Sequence, residues 1–277
     1  MSHVSSNISL VLEFLTDLFE KGLQVNSLCV VRAGLSAHLE PIDTFAIGSH
    51  PAVIKLFKGM YNVRPRSFKD KSTWKVDTVL EYIIDWGPNW SMDMYKLTLK
   101  LAMLLALSSG ARSSEICALT TNNAQFLPNG VRFLLNKHKK NRKTSVLPGT
   151  LFFPYFMANK NLCPVSCLEH YLLKTFGHRL YEGSDTLFRA INKPTKGVQP
   201  CTVSRWLTQT IALASGWGTD KLIGHSVRSL SASKAKIRGL SVREIMESVE
   251  WKSESTFRYF YDQSPLNDKF GQTVLTI

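Results

Sequence analysis

MDMYKLTLKLAMLLALSSGARSSEICAL, residues 92–119, decides the reading of this chain. From about Met92 to Leu107 it spells a long apolar helix, and apolar residues all round a helix mean that it lies inside a core. Its purest stretch, Leu97 to Leu107, is interrupted by Lys100 and is too short to cross a bilayer. Ser109-Gly110 ends the helix, and Arg112-Ser113-Ser114-Glu115 opens the next turn with Ile116 and Leu119 facing inward. An arginine at a helix start adds its charge to the exposed backbone amides and the helix dipole, an arrangement suited to a phosphate. Taken alone, Arg112 and Glu115 read more simply as a salt bridge between residues three apart.

Towards the C-terminus, Gly130 to Leu135 and Thr144 to Leu147 read as two strands. Between them, Lys137-His138-Lys139-Lys140-Asn141-Arg142-Lys143 makes a basic hairpin tip, which a solvated turn or a nuclear import signal would also explain. Cys163, Cys167, His170 and His178 raise the question of zinc, but no second cysteine pair follows. Leu162-Cys163-Pro164-Val165 with Leu168, Tyr171 and Leu172 fits a loop entering an amphipathic helix, so packing accounts for these residues and no metal site is expected. A helix from about His225 to Arg238, closed by Gly239, sets His225 and Arg228 on one face. Ser241 and Glu244 form a capping box for a helix whose buried stripe is Val242, Ile245, Met246 and Val249. In the last helix Phe257, Phe260 and Tyr261 share a face, which core packing alone would explain, while Tyr259 points elsewhere.

Towards the N-terminus, Val79, Leu80, Ile83 and Ile84 line one helix face before the Trp86-Gly87-Pro88 break. Asn62 to Lys75 crowds Arg64, Arg66, Lys69, Lys71 and Lys75 beside prolines and serine, as a basic linker would. Before it come three helical stretches: Ile8 to Phe19, one beginning after Ser27 and running to Leu39, and one starting at Ser49-His50-Pro51. The expected organisation is mainly α with a small β-sheet, in two domains, 1–72 including the linker and 73–277.

With 34 Lys+Arg against 21 Asp+Glu the chain has a formal charge of +13, which favours a polyanionic partner; nucleic acid leads, though an anionic membrane or mere solubility would share that balance. The 44% hydrophobic content excludes a disordered basic tail. Five cysteines without a secretory signal pattern point to free thiols and an intracellular protein, nuclear in a eukaryote and otherwise cytoplasmic.

Taken together, two arginines, a basic hairpin, a His/Arg pair, a tryptophan and a tyrosine suit transfer of a phosphoryl group, because forked guanidiniums bind its developing negative charge bidentately and cannot be titrated away. At these residues the chain resembles the tyrosine recombinase/integrase family, closest to the DIRS-like and Ngaro-like mobile-element enzymes of eukaryotes. Ser109 to Glu115 is similar to the family's first arginine box, His225-Ser226-Val227-Arg228 to its H-x-x-R box, and Trp251 to Tyr261 to its closing segment. The resemblance spans about Trp74 to Asp262.

It implies a helical, SAM-like core-binding domain before the catalytic fold, and a homotetramer closing on double-stranded DNA without a membrane, cofactor, catalytic metal or ATP. Arg112, Lys137, His225, Arg228, Trp251 and Tyr261 would be catalytic and Glu115 supporting. Lys139 and Lys140 are alternatives for the hairpin lysine. Trp251 stands where many members have histidine, and nine residues beyond it is Phe260, so Tyr261 implies one extra residue, with Tyr259 as the alternative nucleophile. Arg64, Arg66, Lys69, Lys71, Lys139, Lys140, Arg142 and Lys143 are the expected DNA contacts. Competing readings are a type IB topoisomerase-like nicking and closing enzyme and a domesticated, non-catalytic DNA-binding protein.

Overall fold

A computed structural model describes residues 7–65, 74–135, 149–180, 185–192, 196–216, 218, 226–249, 251, 253–260 and 262. The chain divides into two compact units, Met1–Lys71 and Ser72–Ile277.

The first unit holds α1 (Ile8–Glu20), α2 (Val25–His38) and α3 (Pro51–Val63) around Val11, Leu15, Leu28, Ile47, Val53, Phe57 and Met60. Asn7 starts α1 by accepting the Ser9 amide at 2.9 Å, and His50 starts α3 by accepting the Ala52 amide on its ring Nδ1 at 3.2 Å. Helix α2 begins three residues ahead of the expected start. No side chain caps it; burial of Val25 and Leu28 sets its beginning instead.

Arg64 also departs from expectation. It terminates α3 and donates to the carbonyls of Leu23 (3.0 Å) and Phe19 (3.1 Å), with its guanidinium 4.1 Å from the centre of the Phe19 ring. A run of basic residues hid this role, because the acceptors are backbone carbonyls that leave no mark in the sequence.

The second unit is built around α5 (Met94–Ser109), buried continuously from Leu97 to Ala106. It is enclosed by α4 (Val76–Asp85), α6 (Ser113–Cys117), α7 (Pro164–Leu180), α8 (Pro200–Ser215), α9 (Ser226–Ile237) and one face of the sheet. Even Lys100 is fully buried, its ammonium 3.4 Å from the Gly87 carbonyl, and burial pushes its pKa down.

The sheet has three antiparallel strands in the order β1 (Ala124–Leu127), β2 (Gly130–Leu135) and β3 (Gly149–Pro154). Val131, Phe133, Leu151 and Phe153 form its inner face. The expected β2 is present and β1 was unforeseen. The second strand of the expected pair was sought at 144–147, outside the described residues; the partner of β2 is β3. Its Thr150, Phe152 and Pro154 alternate outward against buried Leu151 and Phe153, yet as a sequence it reads as a plain apolar run.

Cys163 behaves as a packing residue: its sulfur accepts the amides of Phe156 (3.3 Å) and Ser166 (3.4 Å) at the start of α7. Cys167 is buried and its thiol is pushed up to about 12. The last helices are α10 (Val242–Ser248), opened by the expected Ser241/Glu244 capping box, and α11 (Glu254–Phe260).

Candidate active site

Gly110 ends α5 in the left-handed region, at φ 59° and ψ 21°. The chain then extends through Arg112 into α6. One Glu115 carboxylate oxygen accepts the Arg112 amide at 2.7 Å, and the other accepts Nη1 of the same arginine at 3.0 Å. The salt bridge between residues three apart therefore exists, and it holds a guanidinium whose side chain is still 41% exposed. Among the described residues, Nε and Nη2 of Arg112 have no partner, so both stay available to an arriving anion.

Arg228, near the start of α9, comes to the same carboxylate from the other side. Its Nη1 lies 3.8 Å from the Glu115 oxygen that holds the Arg112 amide. Nη1 also donates to the Gly110 carbonyl, and Nη2 to the Val249 carbonyl at 2.9 Å. Only 3% of Arg228 is exposed. A buried guanidinium is tolerable because a carboxylate and two carbonyls meet its Nη1 and Nη2.

Trp251 completes the wall. Its ring centre is 4.9 Å from the Arg228 guanidinium carbon, within cation–π range, and 5.2 Å from the Phe257 ring. The indole thus serves Arg228 with its face, where the sequence suggested only its N–H.

The start of α9 is pinned by a hydrogen bond from the Trp74 indole to the Ser226 hydroxyl at 2.8 Å. Beyond α11, the Asp262 amide donates to the Phe257 carbonyl at 2.9 Å, and its carboxylate pairs with Lys236 of α9 at 2.6 Å.

Arg112, Glu115, Arg228 and Trp251 are therefore brought together, while Arg64 belongs to the other unit. Lys137, His225 and Tyr261, together with Arg66, Lys69, Lys71, Lys139, Lys140, Arg142 and Lys143, lie outside the described residues, as does the side chain of Tyr259. Sequence reasoning missed the carbonyls of Gly110 and Val249. The glycine itself, directly after Ser109 at a helix end, was the available signal.

This cluster can hold an oxyanion by forked hydrogen bonds while Glu115 keeps the two guanidiniums from repelling each other. No helix among the described residues is long and apolar enough to cross a membrane.

The sequence profile of the phage integrase family matches residues 79–266. No curated protein sequence matches. Among solved structures, a lambda integrase (75–356) dimer bound to a COC′ core site is 18% identical, with TM-score 0.54 over 96% of this chain and 83% of that one. The post-cleavage complex of XerH site-specific recombinase with a palindromic difH substrate is 12% identical, with TM-score 0.62 over 99% and 73%. The Tn1549 transposon integrase in complex with transposon right-end DNA is 14% identical, with TM-score 0.60 over 99% and 86%. At such identities the likeness is one of fold.

Proposed function

Because the chain belongs to the phage integrase family, matched over well more than half its length, we propose that it is a site-specific recombinase that cuts and rejoins DNA through a 3′-phosphotyrosyl intermediate with Tyr261 as nucleophile. The observation that carries this reading is the meeting of Arg112 and Arg228 at one carboxylate, Glu115. Two guanidiniums held that close suit a phosphate whose non-bridging oxygens gain charge as it is attacked.

In the proposed reaction the phenolic oxygen of Tyr261 bonds to phosphorus as the bond from phosphorus to the 5′ oxygen breaks. The phenol, with an ordinary pKa of about 10, gives its proton to His225. Lys137 gives a proton to the departing 5′ oxygen. Attack by a 5′ hydroxyl reverses both transfers, and because the tyrosyl link is itself a phosphodiester, rejoining is driven without ATP. Arg112 presents its open Nε and Nη2 to the phosphate, and Arg228 forms the buried floor behind it.

The DNA-bound dimers and complexes among the similar structures support several copies of this chain acting together on DNA. The first unit would take one face of the duplex as a core-binding domain, with Arg66, Lys69, Lys71 and the hairpin's Lys139, Lys140, Arg142 and Lys143 on phosphates. The run from Thr256 to Tyr261 supports a place in the DIRS-like and Ngaro-like branch.

The test uses a labelled library of nicked duplexes with a randomised core, incubated with the protein and scored for DNA that stays attached after denaturation. The unaltered protein and Tyr259→Phe should yield a covalent band, and Tyr261→Phe should not. A band lost in Tyr259→Phe and kept in Tyr261→Phe would move the nucleophile. No band with the unaltered protein would leave a DNA-binding clamp without chemistry.

A further inference from the structure

The two carbonyls that hold Arg228 come from residues far apart in sequence, and those residues touch. A Cβ placed on Gly110 would lie 2.6 Å from Cγ1 of Val249, closer than nonbonded carbons approach, and 3.7 Å from the Ser231 hydroxyl. Gly110 supplies its carbonyl to Nη1 and Val249 supplies its carbonyl to Nη2. Val249 is itself fixed by its amide, which donates to the Ile245 carbonyl at 3.0 Å at the end of α10. The absence of a side chain at Gly110 is therefore what lets the end of α10 come close enough for Arg228 to be gripped from both sides.

We propose that Gly110 and Val249 form a steric seat that positions Arg228, with the bare backbone of Gly110 setting the distance between the two carbonyls. What Arg228 does when seated rests on the recombinase reading; the seat itself does not. A side chain at Gly110 would push Val249 away. Val249 is β-branched and stiff, so its backbone must move with it. Room for that movement exists: Gly110, Ser231 and Val249 border a groove of about 410 Å³ between the end of α5, β3, α9 and α10. The expected consequence is a displaced end of α10 in a folded protein, with Nη2 of Arg228 losing its acceptor.

Two readouts test the seat. The first is NMR of protein labelled with ¹⁵N-arginine, where Arg228→Lys identifies the Arg228 guanidinium signals. These protons, buried and bound to two carbonyls, should exchange slowly in the unaltered protein. Gly110→Ala should abolish that protection, and adding Val249→Ala, which removes the clashing methyl, should restore it. The second is the rate of covalent trapping on the nicked library alongside DNA retention on a filter. Misplacing a reacting group by about an ångström can cost about a hundredfold, so Gly110→Ala should slow trapping by about tenfold or more without weakening retention, and the double variant should recover to within about threefold.

Gly110→Ala with unchanged protection and trapping would overturn the proposal. So would a folded double variant that recovers neither, since the left-handed backbone strain of alanine, and not the contact, would then be responsible. Should Gly110→Ala not fold, Val249→Ile crowds the same contact from the other side: loss of Arg228 protection supports the seat, and full protection overturns it. If the unaltered protein forms no covalent product, the recombinase reading falls and the NMR comparison still decides the seat.

Discussion

Glu115 receives one arginine on each side, and that sharing explains why Arg228 survives burial while Arg112 stays accessible. Trp251 adds the third support, through its ring face. Trp251→Phe keeps an aromatic face against Arg228 and Phe257 but removes the indole N–H, whereas Trp251→Ala removes both. If the face matters most, the phenylalanine variant should trap DNA within about threefold of the unaltered rate and the alanine variant should fall by about tenfold or more, since a cation–π contact to a desolvated guanidinium is worth about 2 kcal/mol. Equal losses in single-turnover trapping would return the role to the N–H. Of these residues, Arg112 with Glu115 was readable because partners three apart on one helix advertise each other. The anchors of Arg228 were not, because Gly110 lies 118 positions away and offers only a carbonyl.

At the level of elements, α5 is the part most fully written in the sequence: an apolar run this long, broken only by Lys100, reads as a buried helix, and it is one. Lys100 is the exception inside it, paired among the described residues with the Gly87 carbonyl and destabilised in its charged form by burial. Lys100→Met should therefore raise unfolding free energy by about 1 kcal/mol in a urea titration, as buried charges replaced by apolar groups of similar shape often do. The sign also sets a pH trend. A lysine whose pKa is depressed in the fold costs stability at neutral pH, and that cost fades as pH rises towards the unfolded value. The unaltered protein should thus gain on Lys100→Met in alkaline buffer, and a gap that widens with pH would refute the account. The sheet was less legible than the helices. β2 alternates visibly, but β1 is four residues long and β3 hides its alternation among consecutive apolar residues.

For the molecule as a whole, the formal charge of +13 and the basic stretches at 64–75 and 137–143 predict binding governed by phosphates. Affinity for duplex DNA should fall linearly with salt on logarithmic axes. Replacing Lys139, Lys140 and Lys143 together with glutamine should reduce the slope by up to about 2.7, at about 0.9 for each phosphate that the lysines no longer neutralise. An unchanged slope across a salt series would take the hairpin off the DNA. Arg64, read in the sequence as part of a basic linker, caps α3 within the first unit. That arginine has a mechanical consequence. It stands at the exit of α3 yet grips the end of α1, so tension arriving from the following segment is shared between two helices in shear, and α3 cannot simply be peeled from its own last turn.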